Sequence, residues 1–410
     1  MRPACLRKRS HFLRVFLMSR HMTTQNWLLP EHLSDILPAE ARRTEELRRR
    51  LLDLYRTYGF EMVTPPLVEY TTSLYAGQSV DLPLQTCKLV DQISGRTLGI
   101  RADMTPQITR IDAHLLNREG VTRLCYCGSV LHARPAGLLA DRELMQIGAE
   151  VYGHAGYEAD CQVIGLAIES LALAGVTKVR LDLNHPGVTR ALIDAYPALN
   201  EVTNEIYTFL KDKDIASLIS CLNNYPNIPA EIRLALLALP RLYGGAEVLD
   251  RAIQELPPLP GILDAIQELR DIVNTLGIEN LGIDLSDVRG YDYHCGVIFA
   301  LYADGWHEAV VRGGRYDNVS KIFGRARAAT GFSLDLRKLA RGLEPAQRSR
   351  AIKAPWLMHE ELNQTIKQLR EQGNIVVQFF PGSSQAVDEF EFDSELVFEA
   401  GKWVQKPLKA

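Results

Sequence analysis

Two apolar runs, Leu124–Val130 and Leu144–Tyr152, have the length and residue types of β-strands and bracket a loop of about a dozen residues. This pair constrains the fold more than any other stretch. A strand's period of two puts Gln146 and Glu150, four apart, on one face. Two polar side chains must therefore share whatever lies on that side. Helix and strand patterns alternate irregularly around the pair. Leu47, Leu51, Leu54, Tyr55 and Tyr58 recur at helical spacing and predict a helix over 38–58, ended by Gly59. A strand over 60–64 follows, stopped by Pro65-Pro66, and then a hairpin over 86–101. Helices are expected from Pro106 to about Leu116 and over Tyr157–Ala174, and a strand over Lys178–Leu183.

Residues 187–277 read almost wholly as helices punctuated by prolines, an inserted helical subdomain. Strands resume at Leu281–Asp284, His294–Tyr302 and Glu308–Arg312, and a helix is expected over Ser333–Leu343. A polar, basic linker over 345–353 leads to a tail reading strand, helix (Gln364–Gln372), strand (Asn374–Phe380) and a hairpin of Glu395–Glu399 with Trp403–Gln405. The expected class is α+β: a mixed, mainly antiparallel sheet flanked by helices, a helical insertion, and a small C-terminal α/β domain. The expected units are an extension over 1–21, a main domain over 22–345 carrying the insertion, and a small domain over 346–410.

The chain's 410 residues suffice for two or three domains. Its 46 basic against 50 acidic residues argue against a large nucleic-acid footprint, which needs a basic face. Residues 1–21 hold six basic residues and no acid. They read as a transit-type leader or as sequence upstream of a true start at Met18 or Met22. No window of about 18 apolar residues predicts a membrane span. Seven scattered cysteines form no Cys-x-x-Cys pair, and Cys125 and Cys127 read as packed thiols of one strand face. The odd count fits a reducing cytoplasm. No histidine spacing predicts a metal site, and Asp112 and His114 are expected on a solvated helix face.

Gly313-Gly-Arg-Tyr-Asp317 follows a strand pattern, where paired glycines allow close backbone approach. With Ile100-Arg-Ala-Asp-Met-Thr105, Gln146-Ile-Gly-Ala-Glu150, Val288-Arg-Gly-Tyr-Asp-Tyr293 and Gly331-Phe-Ser-Leu334, it makes a series that resembles histidyl-tRNA synthetase, a class II aminoacyl-tRNA synthetase, over roughly residues 27–345. The helix–strand–proline unit at 38–66 resembles the first class motif, which builds the dimer interface in that family. The resemblance places Asp103 and Thr105 at the α-amino group of histidine and Gln146 at its backbone atoms. It places Glu150 at the imidazole, Arg289 at the carboxylate, and Tyr293 in the imidazole pocket. Arg134, Tyr291 and His294 are secondary candidates; His294 stands where the family has a second tyrosine.

The nucleotide side departs from the family. Before Arg134-Pro135 the family reads Phe-Arg-x-Glu, whose arginine holds the α-phosphate of ATP; here the positions are Val130, Leu131, His132 and Ala133. The loop beyond reads Ala136–Asp141, apolar and acidic where synthetases are basic. In the third motif a glycine has become Asp335, a glutamate Arg337 and the γ-phosphate arginine Lys338, which keeps charge but loses the bidentate fork.

A histidine pocket without ATP chemistry, and a tail too short for an anticodon-binding domain, are similar to the ATP phosphoribosyltransferase regulatory-subunit family. That resemblance implies a cytoplasmic, non-catalytic subunit with no cofactor and no metal. It implies L-histidine as effector, a short-form catalytic phosphoribosyltransferase as partner, and a homodimer within the hetero-oligomer. Its catalytic partner would condense ATP with phosphoribosyl pyrophosphate, the first step of histidine biosynthesis. Neither a membrane nor a nucleic-acid partner is expected. The competing readings are a divergent working synthetase and a stand-alone histidine-binding or adaptor protein.

Overall fold

The computed structural model describes residues 28–75, 82–137, 140–287, 290, 293–343, 348–382, 387 and 389–408. In chain order its strands are β1 (Glu61–Met62), β2 (Val68–Tyr70), β3 (Cys87–Val90), β4 (Thr97–Ile100), β5 (Thr122–Leu131), β6 (Glu143–Tyr152), β7 (Val179–Asn184) and β8 (Tyr243–Gly244). Then come β9 (Leu281–Asp284), β10 (Ile298–Ala303), β11 (Val311–Arg315), β12 (Ala329–Asp335), β13 (Ser349–Pro355), β14 (Ile375–Phe379), β15 (Phe390–Glu399) and β16 (Lys402–Pro407). The main sheet runs β1-β5-β6-β12-β11-β10-β7-β9-β8. Only β1–β5 and β7–β9 pair in parallel; the other neighbours are antiparallel. The class expected from sequence, α+β with a mixed and mainly antiparallel sheet, is the one observed.

Alternation along β6 divides the two faces. Ile147, Ala149 and Val151 join the larger apolar core with Leu47, Leu51 and Tyr55 of the Pro38–Thr57 helix and with the Tyr157–Leu173 helix. The Pro38–Thr57 helix has proline in its first turn and Arg56 in its last, and its chain leaves through Gly59 at φ +81°. Tyr55 meets Phe332 of β12 edge-on at 5.9 Å. Burying side chains such as Leu51 and Tyr55 contributes about 1.5–3 kcal/mol each. Cys125 and Cys127, on the same face, are free thiols that burial pushes up to about 11 and about 12. The opposite face carries Gln146, Gly148 and Glu150 beneath the Thr105–Arg110 helix, where Met104 and Ile108 pack on Leu124, Tyr126 and Tyr152.

Several sequence expectations move. The strand at 60–64 shrinks to β1, and β10 begins at Ile298 because Tyr293 and His294 both donate backbone N–H to Gly290 O, making a turn. The strand expected at Glu308–Arg312 lies at β11 and contains Gly313 and Gly314 instead of preceding them. Ser333–Asp335 are strand, and the helix starts at Leu336, because the Asp335 carboxylate accepts Arg337 N–H as a cap. Of the expected linker, Ser349 onward is β13. Asp112 is not solvated: it is fully buried against Arg327 at 3.1 Å, in a wide π-helical turn over Ile111–Leu116 closed by Asn117 N–H to Asp112 O.

Between β7 and β9 the chain forms the helices Gly187–Asp194, Thr203–Lys211, Ile215–Asn223, Ala230–Ala238, Glu247–Glu255 and Pro260–Leu276, plus β8. The C-terminal sheet, β14-β13-β15-β16, packs the Glu360–Glu371 helix over Ile352, Leu362, Ile366, Val376 and Leu396. Trp306 packs its six-membered ring against Gly342, at the end of the Leu336–Gly342 helix, in space that any side chain there would need. Among the described residues no helix is long and apolar enough to cross a membrane.

Candidate functional site

The site is built on β6 and the turn leading from β4 into the Thr105–Arg110 helix. Gln146 bridges the two: its Oε1 accepts Met104 N–H at 2.8 Å, and its Nε2 donates to Asp103 Oδ1 at 2.8 Å and to Ser333 Oγ at 3.1 Å. Asp103 Oδ1 also accepts Thr105 N–H at 3.2 Å. One turn along, the Thr105 hydroxyl donates to Glu150 Oε1 at 3.1 Å and the Tyr126 hydroxyl to the same oxygen at 2.9 Å; the Tyr316 hydroxyl donates to Glu150 Oε2. Asp103, Thr105, Gln146 and Glu150 are thus brought into one hydrogen-bonded cluster.

Glu150 is 1 % exposed, and burial pushes its carboxyl well above the usual range, with Asp103 adding like-charge repulsion. The hydroxyl donors work the other way and are outweighed. Burial likewise raises the Tyr126 and Tyr293 phenols. The Tyr293 ring stands 5.0 Å from Tyr316 and 5.1 Å from His294, and its hydroxyl is buried without a partner. An orphaned donor of this kind costs about 1–3 kcal/mol, so it is a place for a ligand or a water to act.

The floor is made of glycine. Register runs straight across the sheet from Glu150 to Gly331, Gly314, Ile298 and Asn184. A Cβ on Gly331 would fall on the Glu150 carboxyl, one on Gly148 would come 2.5 Å from the Tyr126 hydroxyl, and one on Gly314 would come 2.6 Å from the His294 ring. Gly313 faces the other way, against Phe299 and Gly331 O. The paired glycines therefore serve both faces of the sheet at once.

Arg289 and Tyr291 lie outside the described residues. Arg134 is exposed in the loop after β5 and does not join the cluster among the described residues. Tyr126, Tyr316 and Ser333 were not singled out from sequence. Tyr316 sits inside the Gly-Gly-Arg-Tyr-Asp run just past β11, and Tyr126 pairs opposite Gly148, so strand register, had it been known, was the signal for Tyr126.

Beside this cluster lies a second one. Asp335 Oδ1 accepts Arg337 N–H at 3.1 Å and Met145 N–H at 3.3 Å, and burial raises its carboxyl. Arg337 donates to Ser34 O at 3.0 Å and approaches Glu143 at 3.9 Å. Lys338 pairs with Glu308 at 2.7 Å, and Arg341 pairs with Glu40 at 2.5 Å and with Asp141. Leu131 ends β5 opposite Glu143, its N–H on Arg101 O at 2.9 Å. Arg142 N–H donates to His32 O at 2.9 Å, so the segment at 32–40 holds the loop after β5 against the Leu336–Gly342 helix.

Comparison with known proteins follows the same division. Residues 32–339 match the histidyl-tRNA synthetase family model, and residues 349–406 match the ATP phosphoribosyltransferase subunit HisZ C-terminal domain. The chain is 60 % identical over 383 residues to the ATP phosphoribosyltransferase regulatory subunit of Bordetella petrii, covering 93 % of this chain and 100 % of that one. It is 55 % identical over 381 residues to the protein of the same name from Paraburkholderia xenovorans, covering 93 % and 99 %. An ATP phosphoribosyltransferase regulatory subunit/histidyl-tRNA synthetase from Bacillus halodurans superposes with a TM-score of 0.79 at 25 % identity, over 89 % of this chain and 97 % of that one. A Nostoc histidyl-tRNA synthetase shares the fold at a TM-score of 0.73 and 21 % identity, over 93 % and 97 %. With a synthetase-like sheet, a tail of its own kind and relatives matched along their full length, the chain belongs to the ATP phosphoribosyltransferase regulatory-subunit family.

Proposed function

We propose that the cluster around Asp103 and Glu150 is an effector site for L-histidine, through which this subunit conveys feedback to a short-form catalytic ATP phosphoribosyltransferase. The observation that carries the reading is the charge imbalance. Asp103 and Glu150 stand together on a buried floor, and no cation among the described residues hydrogen-bonds either carboxyl. An α-ammonium group at Asp103 and Thr105 and an imidazole at Glu150 and Tyr293 would supply the missing positive charge and N–H donors. Gln146 orders the turn between them, and Arg289 is assigned to the carboxylate. Coupling to the partner requires a second state with different histidine affinity, and that coupling is reciprocal.

The subunit does not activate histidine with ATP. At the second cluster Leu131 offers no charge to a phosphate, Asp335 would repel one, and Arg337, Lys338 and Arg341 are each engaged by an internal acid. Loss of a preorganised cation from developing phosphate charge costs several kcal/mol. This favours a regulatory subunit over a divergent synthetase. Self-association is assigned to the edge of the main sheet at β1, where Met62 is 52 % exposed beside a groove lined by Asp53, Arg56 and Phe60. A cytoplasmic setting fits six described cysteines that are all free.

Calorimetric titration with L-histidine and, separately, with ATP tests the reading. Histidine binding without ATP binding is expected. Binding of both revives a synthetase, and binding of neither ends the effector-site assignment.

A further inference from the structure

Arg315 ends β11 with its side chain buried on the face of the sheet opposite Glu150, since Gly314, its neighbour, shares the row of Glu150 and Gly331. All five N–H donors of the guanidinium find internal acceptors. Nε donates to Asp160 Oδ2 at 3.1 Å, and Nη2 to the same oxygen at 2.5 Å and to Gly156 O at 2.9 Å. Nη1 donates to His154 O at 3.1 Å and to Asp317 Oδ1 at 3.4 Å. The stem lies on Gly296, where a Cβ would come 2.7 Å from Arg315 Cδ. The Arg315 backbone N–H donates to Val297 O and its carbonyl accepts Cys295 N–H, both at 2.9 Å. One residue therefore ties together the turn after β6, the Tyr157–Leu173 helix and the Cys295–Val297 segment that follows Tyr293 and His294. The next residue, Tyr316, emerges on the other face. There its hydroxyl donates to Glu150 and its ring stands 5.0 Å from Tyr293.

Stability does not account for this arrangement. A buried ion pair is often no more stabilising than apolar side chains of the same volume, because both charges lose their water. What an arginine with every donor engaged adds is one fixed position for the backbone that carries it. We propose that Arg315 is a positioning residue of the effector site, acting through Tyr316: it holds that hydroxyl on Glu150 and so fixes the carboxyl that meets the ligand. This rests on the histidine reading above and adds how the pocket keeps its shape from behind the sheet. Lysine at this position keeps a charge beside Asp160 and loses the planar fork that reaches His154 O and Gly156 O at once.

The test is a double-mutant cycle in the full chain, with L-histidine affinity read by calorimetry and folding by denaturant midpoint. Tyr316→Phe removes the hydroxyl and should weaken binding about 10-fold. Arg315→Lys should weaken it by a similar factor, although it changes no side chain on the pocket face. Added to Tyr316→Phe, Arg315→Lys should weaken binding by less than about 2-fold more, because the hydroxyl it positions is already gone. A merely structural arginine would instead give independent losses that multiply to about 100-fold. That result, or unchanged affinity in Arg315→Lys, overturns the assignment of Arg315 alone. Asp160→Asn keeps the shape of the anchor while loosening it, should repeat the pattern, and carries the cycle if Arg315→Lys does not fold. No binding of histidine by the wild-type chain overturns the effector site and this assignment with it.

Discussion

The cluster around Glu150 and the one around Asp335 use charge in opposite ways. Around Glu150, carboxyls are gathered with hydroxyls and an amide on a buried floor, and burial raises the Glu150 carboxyl. Around Asp335 the three cations Arg337, Lys338 and Arg341 face four acids, and each is held by at least one of them. In the first region no cation among the described residues meets the carboxyls; in the second the charges are neutralised internally. On the proposed reading, a fold shared with synthetases keeps one substrate's half of a site while the other half becomes part of the scaffold.

The largest expected effect lies in the first region. Glu150→Ala or Asp103→Ala should weaken histidine binding about 100-fold or more in calorimetry, because a buried ligand charge loses its partner. Retained binding would break the comparison. Gly331→Ala should be next: its Cβ meets the Glu150 carboxyl, and overpacking of this kind costs about 1–3 kcal/mol, read as a lower denaturant midpoint together with lost binding. Glu150→Gln sharpens the electrostatic point. A carboxyl raised by burial keeps its proton in the folded chain at pH values where the unfolded chain has lost it. Stability should therefore fall as pH rises above about 4.5, by up to about 1.4 kcal/mol per unit, until the folded group ionises. Denaturant midpoints between pH 5 and 8 should lose this slope in Glu150→Gln and keep it in Glu150→Asp. In the second region the effects shrink. Arg341→Ala removes exposed pairs and should change stability by about 1 kcal/mol or less in the same assay. The smallest effect of all is expected from Leu131→Arg with Ala133→Glu: ATP titration should still show no binding, since Asp335 and the paired cations remain.

The site residues were named by resemblance to a family, and the strand period of two added that Gln146 and Glu150 share a face. The described geometry has them there, sharing the cluster with Asp103 and Thr105. The hydroxyls of Tyr126 and Tyr316 escaped because their approach to Glu150 depends on register between strands distant in sequence. Asp112 was read as solvated because its partner Arg327 is far along the chain, and no local pattern announces a long-range ion pair. The displaced boundaries share a local cause. Gly313-Gly314 looks like a loop to any propensity rule, yet the strand continues through it since both faces there are crowded. Asp335 ends β12 and caps the next helix with one side chain, a handover that hydrophobic periodicity does not register.

The packing of Trp306 on Gly342 makes the protein its own optical probe. Of the four tryptophans, Trp356 and Trp403 belong to the C-terminal sheet domain and Trp27 precedes the described residues, so among the described residues Trp306 is the one indole reporting on the main sheet. It touches the very helix that carries Arg337, Lys338 and Arg341. With the other three tryptophans changed to phenylalanine, emission from Trp306 would record whether histidine added to the protein disturbs that helix, on the face of the sheet opposite Glu150, and how fast.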